Sequence, residues 1–194
     1  MDQSKVLAIF ERHGALLKGH YALSSGLHST DYVQSSLVLG EPPAAEALAT
    51  ALADQCRSQM GFDRVDCVVG PALGGVVLAF LMARHLGARA VFAERQQGIM
   101  SLTRGLAVQR GEKVLVVEDV VITGGTVREL LDLIAERQGD VVGVASLLDR
   151  STGPVVTGIP FVALARLETS VYQPSACPDC ERQEPLVRPR YGRV

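Results

Sequence analysis

The alternation of apolar and polar positions divides the chain into buried-strand and amphipathic-helix signatures. Val114 to Val117 are four aliphatic residues without a polar break, the pattern of a strand buried on both faces of a parallel sheet. Beyond a glycine turn the spacing becomes helical. Val127, Leu130, Leu131 and Ile134 fall at i, i+3, i+4 and i+7, while Arg128, Glu129, Asp132 and Glu136 face away. Gly139 is placed to close that helix as its C′ residue.

The same reading predicts a helix over 3–12, carrying Val6, Leu7, Ile9 and Phe10, and a second opened by Pro42-Pro43 and running to about Met60. Residues 65–69 read as a central strand, and residues 76–86, apolar nearly all round, as a buried helix. Short strands follow at 90–93, 141–148 and 161–165. Strands alternating with helices predict an α/β fold, a mainly parallel five-stranded sheet with helices on both faces, in one domain over 1–194.

Composition narrows the function classes. A chain of 194 residues, 47% hydrophobic, suits one domain with a sizeable core. A formal net charge of −2 gives no electrostatic case for nucleic acid. No apolar run reaches the roughly 18 residues of a membrane span, and the N-terminus lacks a basic flank followed by an apolar stretch. Four cysteines without a dense framework point to a reducing compartment, so the expectation is a cytoplasmic protein that meets neither membrane nor nucleic acid.

The chemistry concentrates where the 114–117 strand ends. Glu118 and Asp119 stand at the carboxyl edge of a sheet, and Thr123-Gly124-Gly125-Thr126 leads into the helix. First-turn N–H groups lack intrahelical partners and the helix dipole favours negative charge there, so the turn is an anion cradle to which Thr123 and Thr126 add hydroxyls. Two acids beside a phosphate are suited to accepting hydrogen bonds from a sugar diol, with or without a bridging divalent cation. A sugar phosphate satisfies both halves.

The stretch from Val114 to Thr126 resembles the phosphoribosyl pyrophosphate (PRPP) motif of the type I phosphoribosyltransferases at every defining position. The resemblance implies PRPP contacts from Glu118, Asp119, Val120, Val121, Ile122, Thr123, Gly124, Gly125 and Thr126. It also makes Gly70-Pro-Ala-Leu-Gly-Gly75, a weaker glycine turn on its own, the pyrophosphate loop. Ala72, Leu73 and Gly74 would then touch ligand, and a cis peptide is expected between Ala72 and Leu73. Residues 94–113 have little periodicity and carry Arg95 and Arg104. They read either as a solvated hairpin or as a mobile lid whose two arginines meet the polyanion in a catalytic role alongside Glu118 and Asp119.

The N-terminal segment around Leu23-Ser24-Ser25-Gly26 reads by itself as a hairpin with polar edges. It resembles the hood of orotate phosphoribosyltransferases, in which Ser24, Ser25, Gly26, Tyr32 and Val33 would lie beside the pyrimidine. Asp149-Arg150 ends a buried strand. Arg150 either pairs with a nearby acid such as Asp149 or offers its fork to a carboxylate; in the family it meets orotate. The resemblance therefore implies an Mg²⁺-dependent transfer from PRPP to orotate, with Mg²⁺ held mainly by PRPP near Glu118 and Asp119. It further implies a homodimer and a hood built from about residues 1–40, with or without the tail 166–194.

Purine or other base salvage, and non-catalytic PRPP sensing, are the alternative functions. The chain departs from the family in having Ser24 and Leu73 where lysine is usual, Ile122 where many members have threonine, and no lysine or histidine in 94–112. In the tail, Cys177-Pro-Asp-Cys180 is half of a zinc ligand set, which a dimer could complete with a second tail. His20 and His28 read as hydrogen-bonding surface or cleft residues.

Overall fold

The computed structural model describes residues 1–23, 25–156, 158–168 and 170–189. Helix α1 (Gln3–Arg12) is capped by Asp2, whose carboxylate accepts from the Lys5 N–H at 2.9 Å, and it buries Val6 and Phe10. Strands β1 (Leu16–Ala22) and β2 (His28–Val33) form an antiparallel hairpin. After the short α2 (Ser36–Leu39), helix α3 (Pro42–Gln59) takes its prolines in the first turn, where no N–H is needed. Ala45, Leu48, Ala49, Leu52, Ala53 and Cys56 form its buried stripe.

Strand β3 (Cys67–Pro71) leads to α4 (Gly74–Leu86), and β4 (Arg89–Gln96) turns into β5 (Ile99–Leu102). Then follow β6 (Lys113–Val121), α5 (Gly125–Glu136), β7 (Asp140–Asp149), β8 (Phe161–Arg166) and β9 (Val171–Tyr172). A 3₁₀ turn (Pro174–Ala176) precedes α6 (Pro178–Glu181).

The main sheet has the order β5-β4-β3-β6-β7-β8. The five expected strands are parallel, and β5 adds an antiparallel edge. Part of the 94–113 segment is thus a hairpin, one of its two expected forms. Gln97 at φ 50° and Gly98 at φ 87° make its two-residue turn, a backbone matched to strand twist. An edge hairpin needs no apolar period, and so its sequence gives little sign of it.

One core lies between α1, α3, α4 and one face of the sheet, and another under α5 on the other face. Helix α5 ends differently from expectation. Gln138, at φ 57°, is the left-handed residue, its N–H donating to Ala135 O at 2.9 Å while that of Gly139 donates to Ile134 O at 3.1 Å. Gly139 is constrained by packing instead, since a Cβ there would lie 2.8 Å from both Ile134 and Val108.

A separate three-stranded antiparallel sheet, β1-β2-β9, joins the N-terminal hairpin to the tail. Strand order reverses between β3 and β6, and the crevice beyond their carboxyl ends is therefore the expected ligand position.

Candidate functional site

Strand β6 runs further than its aliphatic run suggested, carrying Glu118 and Asp119 inside it. Its ladder with β7 continues through Glu118↔Ser146 and Val121↔Asp149, whereas its pairing with β3 stops at Val116. Beyond Val116 the two strands part, and the acids stand beside the gap. Glu118 is buried; that burial, then the neighbouring Asp119, raise its carboxyl well above the ordinary carboxylate range. Asp119 accepts a hydrogen bond from the Ser35 hydroxyl just after β2. Its carboxylate also fills the space where a side chain at Gly74 would start. The acid pair and the second glycine turn are therefore in contact.

The Thr123–Thr126 turn is fastened from outside. Gly124 caps α5 at φ 69°, and a Cβ there would lie 3.0 Å from Val155 O. Arg128 donates to Thr123 O at 2.9 Å and to Val155 O at 3.3 Å. Thr123 is exposed, and Ile122, Gly125 and Thr126 are half-buried. Val120 is half-buried and Val121 buried.

In the 70–75 turn the Ala72–Leu73 peptide is cis, as the resemblance implied, and the Ala72 N–H donates to Ala93 O at 2.7 Å. Gly70 and Gly75 approach so closely that a Cβ on either would strike backbone or the Pro71 ring. Ala72 and Leu73 are exposed.

Arg95 near the end of β4 and Arg104 after β5 are occupied by acids. Arg95 donates to Gly98 O at 3.0 Å and pairs with Glu129 of α5 at 2.7 Å. Arg104, at φ 59°, pairs with Glu94 at 3.2 Å. Both side chains are thus held by carboxylates of the protein itself.

Ser24 lies outside the described residues. Ser25 and Gly26 are exposed in the β1–β2 turn, with Gly26 at φ 81°. Val33 is buried, and Tyr32 lies 5.5 Å from the Tyr21 ring. Arg150 is nearly inaccessible, at 2% exposure, and burial pushes its guanidinium down to about 10. Its acid is Asp31 of β2 and not Asp149, which accepts from the Ser151 N–H at 2.8 Å. Arg150 thereby ties the main sheet to the hood.

Asp31 and Ser35 escaped the sequence reading. Each meets its partner across a large sequence separation, 119 positions for Asp31 and 84 for Ser35, so no local pattern marks them.

The expectation for His20 and His28 is corrected. Both are buried, and they stand with Cys177 and Cys180 in one cluster whose ligand atoms all lie within 4.8 Å of one another. The two halves come from opposite ends of the chain, so spacing alone could not join them.

Comparison with known proteins agrees with this architecture. The model of the phosphoribosyl transferase domain matches residues 38–168. The chain is 43% identical over 189 residues to the orotate phosphoribosyltransferase of Caldanaerobacter subterraneus subsp. tengcongensis, covering 97% of each. It is 48% identical over 183 residues to that of Carboxydothermus hydrogenoformans, covering 93% of this chain and 94% of the relative. Among solved structures, the orotate phosphoribosyltransferase of Aeropyrum pernix superposes with a TM-score of 0.66 at 24% identity, over 84% of this chain and 93% of that one.

Proposed function

This chain belongs to the phosphoribosyltransferase family, among its orotate phosphoribosyltransferases, and we propose that it joins orotate to PRPP, giving orotidine 5′-monophosphate and pyrophosphate. The observation that carries this reading is the contact between the acid pair and the 70–75 turn at the switch point, with the Asp119 carboxylate resting against Gly74. One cradle beyond β6 and one beyond β3, with two carboxylates between them, match a ribose bearing phosphate at one end and pyrophosphate at the other.

The 5′-phosphate takes the orphan N–H groups at the start of α5 with the Thr123 and Thr126 hydroxyls. The ribose diol donates to Glu118 and Asp119, which removes the conflict of two acids held together at a buried position. The same carboxylates face the ring as it becomes oxocarbenium-like. The 72–74 loop receives the pyrophosphate, and its N–H groups stabilise leaving-group charge. Arg95 and Arg104 close over it after exchanging Glu129 and Glu94 for phosphate oxygens. Orotate enters already anionic beneath the 25–26 turn and Tyr32, where the buried Arg150 shares its charge between Asp31 and the substrate carboxylate.

Two oxygen donors beside a diphosphate suit Mg²⁺ held mainly by substrate, near Glu118 and Asp119. When bound, the ion neutralises charge accumulating on pyrophosphate.

We further propose a homodimer. Leu73, Val77 and Phe80 are 85%, 40% and 61% exposed along one side of α4, and Leu37 of α2 is 47% exposed. Such an apolar patch suits a second copy of the chain, and its Leu73 end lies in the pyrophosphate loop. Among the described residues no helix is long and apolar enough to cross a membrane, and the four thiols are free. We take the cytoplasm as its compartment.

Incubation with PRPP, Mg²⁺ and each of orotate, uracil, hypoxanthine and adenine tests the reaction. Turnover of orotate alone is expected; faster turnover of a purine would overturn the assignment.

A further inference from the structure

The cluster of His20, His28, Cys177 and Cys180 plays no part in the chemistry above, yet its construction is that of a metal site. In the β1–β2 ladder Ala22 pairs with His28, and His20 lies at the irregularity between Lys18 and Tyr21; the two imidazoles meet edge to face on one side of the hairpin, their centroids 4.8 Å apart. Strand β9 pairs with β2, and the turn of α6 brings Cys177 and Cys180, three residues apart, over that face. The His20 Nε2 atom lies 2.9 Å from His28 Nδ1, 3.5 Å from Cys177 Sγ and 3.6 Å from Cys180 Sγ. Cys180 Sγ lies 3.3 Å from His28 Nδ1.

We propose that these four side chains bind one zinc ion that clasps the tail to the hood. Zinc bonds of about 2.0–2.1 Å to nitrogen and about 2.3 Å to sulfur give nitrogen–sulfur edges of about 3.5 Å in a tetrahedron, which matches the three spacings between imidazole and thiol. The nitrogen–nitrogen edge, about 3.3 Å in the same figure, needs only a small parting of the two rings. Nδ1 of His20 lies 2.9 Å from the Glu184 carbonyl, to which it donates, so the Nε2 lone pair is aimed into the cluster. A backbone carbonyl on the far nitrogen is the usual support for a metal-bound imidazole. Two thiolates and two imidazoles select zinc over magnesium or calcium, and four protein ligands leave no open position, which makes the site structural.

The surroundings point the same way. Between residues 170 and 189 the only buried apolar side chain is that of Cys177, so hydrophobic packing does little to hold the tail down. Cys180, the most exposed of the four, gives the ion a way in. One chain supplies the whole ligand set, and no second tail is required. The two histidines flank the turn at 23–27, so the ion would also fix the part of the hood assigned to the base; that consequence rests on the orotate reading, whereas the site does not.

The experiment is metal analysis of the protein purified without chelator and free of any histidine tag. One zinc per chain is expected, falling below about a tenth in Cys177→Ser/Cys180→Ser. The cobalt-substituted protein should show tetrahedral ligand-field bands with thiolate charge transfer, and chelation should lower Tm until zinc is restored. If the double variant fails to fold, the cobalt spectrum and the zinc-dependent Tm of the unaltered protein decide. Metal-free protein whose Tm ignores added zinc would overturn the proposal, as would Cys180→Ser retaining a full equivalent. A full zinc complement without turnover of orotate would leave the site standing and remove the reaction.

Discussion

Of the glycines in the two turns, Gly125 is the one the fold does not require. Gly70, Gly74 and Gly75 are closed to a Cβ by backbone, the Asp119 carboxylate or the Pro71 ring, and Gly124 is left-handed and crowded. At Gly125 an added Cβ would meet only Thr123 Oγ1 among the described residues, at 3.5 Å, an ordinary contact. Gly125→Ala should therefore stabilise the ligand-free protein by about 0.4–1 kcal/mol, through the reduced freedom of the unfolded chain. At about 2–4 °C per kcal/mol for a chain of this size, Tm should rise by about 1–4 °C. The same methyl would stand beside the hydroxyl assigned to the 5′-phosphate. Loss of one hydrogen bond to a charged group, about 1.5–3 kcal/mol, should weaken PRPP about ten- to a hundredfold. Scanning calorimetry without ligand and titration calorimetry with PRPP and Mg²⁺ measure the two effects separately. A higher Tm with unchanged PRPP affinity would refute the placement of the phosphate; a large fall in Tm would refute the reading of Gly125 as structurally free.

Replacing Arg150 with Lys should raise the orotate KM about ten- to a hundredfold with PRPP binding nearly normal, because an ammonium cannot serve Asp31 and a carboxylate as a planar fork does; equal loss of PRPP affinity would make Arg150 only a strut between sheet and hood. Glu118, whose proton is held more tightly in the folded protein than in the unfolded chain, should make ligand-free stability fall as pH rises from about 4.5 toward its raised value. Glu118→Gln should flatten that part of a Tm-against-pH curve while weakening PRPP, and an unaltered slope would show that the carboxylate titrates normally. Phe80→Asp should convert a dimer to monomer in sedimentation velocity, and a dimer that survives the change would move the interface elsewhere.

Periodicity located the sheet and its helices because burial on two faces leaves an unambiguous run of aliphatics, as at Val114–Val117. It failed at the β4–β5 hairpin, an edge ribbon that needs no apolar face, and it set the end of β6 too early because carboxylates resemble a terminus. The glycine turns were legible since a close backbone approach admits only one residue type. Arg150 stood out as a charge at the end of a buried strand, but its acid did not, for Asp31 lies in a different sheet. The joining of His20 and His28 to Cys177 and Cys180 was invisible for the same reason: ligands assembled from both ends of a chain share no spacing.

The hood is also a matter of timing. His28 and Cys180 meet across 152 positions, and β2 has its outer neighbour only when β9 arrives. At roughly 5–20 residues per second on the ribosome, the hairpin waits about 8–30 s for its partner. During that interval β2 shows an open edge, and a two-stranded ribbon is marginal by itself. A nascent chain would thus have both phosphate turns synthesised well before it could enclose a base. A product cut short inside the tail would be expected to hold PRPP and leave it unspent.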